Sequence, residues 1–187
     1  MPDQSRFPAL HAIHTVAFDF DGVFTDNKVW VDESGRESVR CDRADGLAVD
    51  LIRTAQRRGL LEAEVFVISA ERNPVVTTRA QKLGLECHQG VSDKLEFIRN
   101  SLVDRFPTDR TPLRGLIYLG NDLNDLSVMQ QAGFAVAPSD AHPRVLAIAD
   151  LVLGNPGGGG FVRTFVERML GFEDLTLDEI DEFVSDS

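Results

Sequence analysis

Val16-Ala17-Phe18-Asp19-Phe20-Asp21-Gly22-Val23-Phe24-Thr25-Asp26 is an apolar, β-prone run that ends in two carboxylates spaced i, i+2, followed at once by a glycine and a short polar turn. Side chains alternate along a strand, so Asp19 and Asp21 can converge on one centre just past the strand end. Gly22 lets the backbone approach that centre closely. Carboxylates placed there sit where open α/β sheets put their ligands. The competing reading of the stretch alone is a solvated turn with incidental acids. The rest of the chain decides between the two.

Outward from this stretch, strand and helix patterns alternate. Thr15–Phe20 reads as the first strand, and Lys28–Val31 and Ser38–Cys41 flank Asp32-Glu33-Ser34-Gly35-Arg36 as a hairpin. Gly46–Arg58 reads as a helix with Leu47, Leu51, Ile52 and Ala55 on one face and Gly59 as its stop. Val65–Ile68 is the next strand. Asn73-Pro74 opens a helix as N-cap and first-turn proline, with Val76, Ala80 and Leu83 inward and Gly84 at its end. A strand near Leu85–His88 precedes a helix from Ser92-Asp93 that carries Leu95, Ile98 and Leu102. Strand Leu116–Leu119, helix Leu126–Ala132, strand Phe134–Val136, helix Pro143–Ile148, strand Leu151–Leu153 and helix Phe161–Leu170 follow. Such alternation with brief connectors predicts an α/β fold: a Rossmann-like doubly wound parallel sheet with helices on both faces and a hairpin insert. A single domain over 15–172 is expected, preceded by a flexible leader, 1–14, and followed by an acidic tail, 173–187.

Composition narrows the function classes. The chain has 187 residues, 43% of them apolar, enough for one good core. Its net charge of −11 argues against nucleic-acid binding. Glu173–Ser187 holds seven acids and no base, which leaves −11 + 7 = −4 over the remainder. In that tail Thr176-Leu177-Asp178-Glu179 has capping-box form, and Leu177, Ile180 and Val184 make an apolar stripe open to solvent or to a partner subunit. Cys41 and Cys87 lack metal-site spacing and read as thiols of a cytoplasmic protein. No signal-peptide pattern and no apolar run of membrane-spanning length occur, so no membrane partner is expected.

The polar residues fall where the pattern puts the carboxyl ends of parallel strands. Ser69 follows Val65–Ile68; Asn121, Asp122 and Asp125 follow Leu116–Leu119 through Gly120; Lys94 heads the helix after the third parallel strand. Hard oxygen donors, one lysine and a hydroxyl beside backbone N–H groups suit Mg²⁺ and a phosphoryl group. In this order the segments resemble the motifs of the haloacid dehalogenase superfamily of phosphotransferases, over nearly the whole chain. Asp19–Asp26 resembles the first motif, Ser69 the second, Lys94 the third and Gly120-Asn121-Asp122-Leu123-Asn124-Asp125 the fourth. With no sizeable insertion between the first two motifs, the chain is similar to the capless subgroup. The hairpin and Gly157-Gly158-Gly159-Gly160-Phe161-Val162-Arg163 resemble the 3-deoxy-manno-octulosonate 8-phosphate phosphatase group. Its members associate as tetramers, with the tail closing over a neighbour's site.

What the resemblance implies is a Mg²⁺-dependent phosphatase of a small sugar-acid phosphate, working as a cytoplasmic homotetramer. Asp19 would be nucleophile and metal ligand. Asp21 would be general acid and then base, its carbonyl also on the metal. Asn121 would complete the ligands, with Ser69, Ala70 and Lys94 on the phosphoryl oxygens. A lysine between acids also reads as a structural ion pair. Asn121 stands where many relatives have aspartate; an amide oxygen still ligates Mg²⁺, with one negative charge fewer, and Asp122 or Asp125 is available to compensate. The Gly-Asn-Asp form also resembles the C-terminal modules of acylneuraminate cytidylyltransferases. This leaves open a weakly active or inactive tetramerisation module.

Glu71, with Arg79 and Lys82 at i, i+3 on one helix face, resembles phosphatases of sialic-type nonulosonic acids such as 2-keto-3-deoxynononate 9-phosphate. There a Glu, an Arg and a Lys at matching spacing contact the sugar acid. Two cations suit a carboxylate; the plainer reading is a solvated helix face. A nonulosonate 9-phosphate is therefore the expected substrate, and octulosonate 8-phosphate or another small sugar phosphate the alternative. Asp45 reads as a substrate contact or a helix N-cap. His88 and His142 read as structural, and Trp30 as an interface or core anchor.

Overall fold

The computed structural model describes residues 7–186. Strand β1 (Thr15–Phe18) leads through the Asp19–Phe24 turn into a hairpin of β2 (Thr25–Val31) and β3 (Glu37–Cys41). Then come α1 (Ala44–Arg57), β4 (Glu64–Ser69), α2 (Pro74–Leu83), β5 (Glu86–Gln89) and α3 (Lys94–Arg105). The second half runs β6 (Leu116–Leu119), α4 (Leu126–Met129), β7 (Phe134–Ala137), α5 (Pro143–Leu146), β8 (Leu151–Val152), α6 (Phe161–Met169) and α7 (Leu177–Ser185). Among the described residues, six strands pair in parallel in the order β5-β4-β1-β6-β7-β8. The chain winds outward from β1 to β4 and β5, then returns to β6 on the other side. The order therefore reverses between β1 and β6, and that crevice is where such sheets bind ligands.

Alternation along the strands sorts the core into two layers. Val16 and Phe18 of β1 face one layer with α1, α2 and α6, through Leu51, Ile52, Val76, Ala80, Phe161 and Phe165. Ala17 faces the other, with Ile98 and Leu102 of α3, Val128 of α4 and Val145 of α5. β1, β6 and β7 are buried along their whole length, which is why they read as unbroken apolar runs. No cap domain stands between the first two motifs; β2 and β3 form a separate two-stranded ribbon.

Several boundaries differ from expectation for local reasons. α1 starts at Ala44, because the Asp42 carboxylate accepts the Ala44 N–H at 2.9 Å. Asp45 thus lies inside the first turn and is not the cap. The helix expected over 126–132 is a 3-10 turn, Leu123–Asp125, followed by the short α4, since Asp122 and Asp125 close a capping box ahead of it. Of the expected leader, residues 1–6 lie outside the described residues, but the Phe7 ring packs at a tilt against Phe134 and Phe165, and Ile13 is buried. The acidic tail folds back on its own chain as α7, capped by Thr176 and Glu179. Phe183 is buried against Phe172, Arg58 lies 4.7 Å above its ring, and Arg57 and Arg58 bind Asp186. Of the expected stripe, Ile180 and Val184 pack on the core and Leu177 faces solvent.

Candidate active site

The site is built from strand ends. Asp19 follows β1 and is 4% exposed; its N–H donates to Leu119 O at 2.9 Å, which continues the β1–β6 ladder into the turn. Gly22 has φ +79°, and a Cβ there would run into the Asn121 amide, so the first and fourth motifs touch backbone to side chain. The Thr25 hydroxyl, fully buried, accepts the N–H groups of Gly22 (3.1 Å) and Asn27 (3.2 Å) and closes the turn from within. Beneath it runs the glycine segment: Gly158 N–H donates to Val23 O at 3.1 Å. A Cβ on Gly157 or Gly158 would strike the backbone of Gly22, Thr25 or Asp26. The segment Gly157–Arg163 thus supports the first motif of its own chain and begins α6.

Lys94 is the first residue of α3, whose N-cap Asp93 accepts the Glu96 N–H. That cap turns the lysine into the protein, where it is 2% exposed. Its ammonium donates to Asp19 Oδ1 at 2.6 Å and to Asp125 Oδ1 at 2.8 Å. Asp125, with no exposure, also accepts the Tyr118 phenol at 2.7 Å and the N–H groups of Asn121 (2.9 Å) and Asp122 (3.2 Å). Two carboxylates therefore share one ammonium. Burial and the Asp125 charge push the Asp19 carboxyl upward against the pull of Lys94. Burial opposes the Lys94 charge, but Asp19 and Asp125 outweigh it and hold the ammonium protonated.

Asp19, Asp21, Ser69, Ala70, Glu71 and Asn124 line a cleft of about 240 Å³. Ser69 Oγ accepts the Glu71 N–H at 3.0 Å, which leaves its proton to donate. The loop is pinned to the end of β5 by Val91 N–H to Ser69 O and Gly90 N–H to Glu71 O. Burial, then the charges of Glu71 and Glu37, push the Asp21 carboxyl upward, while Lys94 pulls it down. A larger concavity, about 440 Å³, lies toward the opposite sheet edge between α3 and Pro112–Arg114. It shares no residue with the acid–lysine network, so size does not locate the chemistry here.

A haloacid dehalogenase-like hydrolase family model matches residues 108–164, the stretch from the approach to β6 through the start of α6. The chain is 31% identical to the 3-deoxy-D-manno-octulosonate 8-phosphate phosphatase of Yersinia pestis over 163 residues, 87% of this chain and 82% of that one. The chain belongs to the haloacid dehalogenase-like hydrolases. By family it is a phosphatase. A solved hydrolase of this family from Streptomyces avermitilis is 32% identical, with a TM-score of 0.79 over 92% of this chain and 94% of that one. A crystal structure of the Yersinia pestis phosphatase superposes with a TM-score of 0.76 at 30% identity, over 91% of this chain and 86% of that one.

In this haloacid dehalogenase-like hydrolase the donor set can be tested against a cation. Among the described residues no three His, Cys, Asp or Glu side chains gather round one point. A cation would therefore rest on a mixed set, with the Asn121 amide in it. Asn121 Oδ1 is buried and has no hydrogen-bond partner, and burial with the Asp125 charge pushes the Asp19 carboxyl up to about 8, so that a further positive charge there would favour its ionised form. Both observations fit a hard cation. Asp125 is not open to that role, because donors already occupy both of its oxygens. Asp122 is an exposed helix cap that accepts the Leu123 N–H.

The structure does not bring all the predicted substrate contacts together. Glu71 is at the mouth, its carboxylate accepting the N–H groups of Arg72 and Asn73. Arg79 lies off the cleft: it donates to Asp42 O at 2.7 Å and sits 3.6 Å from the buried Asp45 carboxylate. Lys82 is exposed in the last turn of α2, which returns toward the opposite sheet edge. The i, i+3 pairing is real, but α2 points away from the site, so Lys82 does not reach the cleft of its own chain. Tyr118 and Thr25 were not singled out by sequence; a lone tyrosine inside Leu116-Ile117-Tyr118-Leu119 was the available signal, since a buried phenol needs a partner.

Proposed function

We propose that this chain is a Mg²⁺-dependent phosphatase of a sugar-acid phosphate, with Asp19 as nucleophile. The observation that carries this reading is the Lys94 ammonium held between Asp19 and Asp125 at the crevice where the strand order reverses. Asp19 Oδ1 is engaged by Lys94, which leaves its other oxygen to attack phosphorus. A bond from that oxygen to phosphorus would form as the ester P–O bond breaks, and Asp21 would give its proton to the leaving alkoxide. Water would then attack the aspartyl-phosphate, Asp21 taking its proton, the Asp19–phosphorus bond breaking and inorganic phosphate leaving. Ser69, the Ala70 backbone and Lys94 would hold the equatorial oxygens. Asp19, the Asp21 carbonyl and Asn121 are the residues that would hold Mg²⁺. When bound, the ion supplies positive charge that screens the nucleophile from the phosphate dianion.

The relatives point to 3-deoxy-octulosonate 8-phosphate as the leading substrate. The nonulosonate 9-phosphate remains the second reading, supported by Glu71 in the cleft lining and weakened by the positions of Arg79 and Lys82. Rates of phosphate release from the two sugars separate them: kcat/KM is expected to favour the octulosonate, and the reverse order would transfer the assignment to the nonulosonate. Self-association is also part of the proposal. Val29, Trp30 and Val31 are each more than half exposed on the ribbon, an apolar patch of the kind that marks an interface. A single domain that includes Phe7–Ile13 and α7 as well as 15–172 is also part of the proposal, supported by the packing of Phe7, Leu10, Ile13 and Phe183 on the same core.

A further inference from the structure

Tyr118 is the only tyrosine of the chain and its side chain is wholly buried in β6. Its phenol donates to Asp125 Oδ1, the oxygen that also accepts from Lys94. A carboxylate oxygen offers two lone pairs, and here the phenol fills one and the ammonium the other. Asp125 Oδ2 is occupied in the same way by the N–H groups of Asn121 and Asp122. We propose that Tyr118 is a positioning residue: by sharing Asp125 Oδ1 it limits the hold of Asp125 on Lys94 and keeps the ammonium directed at Asp19 and the transferring phosphoryl group.

In this dry interior the phenol and the ammonium compete for one oxygen. Without the phenol, Oδ1 has a vacant lone pair where water does not reach, and the Lys94 ammonium is the donor already beside it. The Lys94–Asp125 pair would tighten and the Lys94–Asp19 contact loosen, although neither Lys94 nor Asp19 had changed. Burial and the charges of Asp125 and Asp19 hold the phenol well above its ordinary titration range, so it remains a donor at working pH. A phenol that merely satisfied itself in the core would affect stability and leave turnover alone.

The inference rests on the phosphatase reading, and its test separates the two. With p-nitrophenyl phosphate and Mg²⁺, below the melting midpoints of both proteins, Tyr118→Phe is expected to lose about 10- to 100-fold in kcat, as loss of a supporting hydrogen bond typically does. KM should change much less, because the phosphoryl contacts themselves remain. A folded Tyr118→Phe protein with wild-type kcat would overturn the inference. Because the chain has a single tyrosine, biosynthetic replacement by 3-fluorotyrosine labels this position alone, which covers the case in which the phenylalanine variant fails to fold. Its ¹⁹F resonance should move when Mg²⁺ and orthovanadate are added together; a resonance that ignores both would also overturn the inference. A wild-type chain that turns over neither p-nitrophenyl phosphate nor a sugar-acid phosphate would instead overturn the phosphatase reading.

Discussion

At the scale of single residues, the chemistry depends on how few buried charges are matched by how few partners. Asp19 and Asp125 share the single Lys94 ammonium in an interior where an unmatched charge is costly, and the Asp19 carboxyl is pushed upward in consequence. Asn121 contributes an unpartnered amide oxygen next to it. At the mouth, Glu71 is a polar side chain free of this network that can read a substrate's hydroxyls. Glu71→Ala should therefore lower kcat/KM for a sugar-acid phosphate by roughly 10-fold, in line with the loss of a hydrogen bond to a charged group, and leave p-nitrophenyl phosphate unchanged. Equal losses on both esters in steady-state assays would show that Glu71 supports the loop and does not touch the sugar.

Asp45 gives a pH prediction away from the reacting groups. Burial pushes its carboxyl up to about 7, with Arg79 pulling down and Asp42 adding to the rise. The folded chain thus keeps a proton that the unfolded chain releases near 3.8. Across that window the folded state binds more protons, so this group makes stability fall as pH rises, by at most about 1.4 kcal/mol per pH unit. Asp45→Asn should remove that contribution: denaturant unfolding at pH 5 and pH 7.5 should show the variant gaining on wild type at the higher pH. A difference that is constant, or that shrinks with pH, would contradict the assignment.

At the scale of elements, α7 shows what charge pattern conceals. Seven acids without a base read as an acidic tail open to solvent or a partner subunit, yet Arg57 of α1, its C-cap Arg58 and a buried phenylalanine hold the segment to the body. Phe183→Ala should cost about 3 kcal/mol, measured by urea unfolding, with kcat below the transition unchanged; a cost near zero would mean that α7 is not docked in solution. The strands and long helices were legible because period and caps agreed: Asn73-Pro74 and Gly84 bound α2 as expected. α4 was not, since Asp125 closes a capping box with Asp122 while also binding Lys94 and Tyr118. Local sequence cannot show that a cap residue is also the hub of a site. Likewise the spacing of Arg79 and Lys82 gave a shared helix face, but not the direction in which α2 leaves the cleft.

At the scale of the molecule, the strand order puts every motif at one sheet edge, and alternation in the sequence was enough to anticipate that order's kind. Why the glycine run carries Gly157 and Gly158 became clear only in three dimensions, where these two lie against the turn that holds Asp21. Assembly belongs to this scale too. Trp30→Ser with Val29→Ser should shift the mass seen by light scattering from an oligomer toward the monomer of 20.6 kDa. An unchanged mass would place the interface elsewhere.

The most direct test of the central claim is release of inorganic phosphate from 3-deoxy-octulosonate 8-phosphate by the wild-type chain and by Asp19→Asn, each with Mg²⁺ and with excess EDTA. Turnover should appear for wild type with Mg²⁺, vanish with EDTA, and fall by at least about 10³-fold in Asp19→Asn, as removal of a nucleophile does. An Asp19→Asn protein as active as wild type, or a wild type inert toward every sugar-acid phosphate tried, would contradict the account.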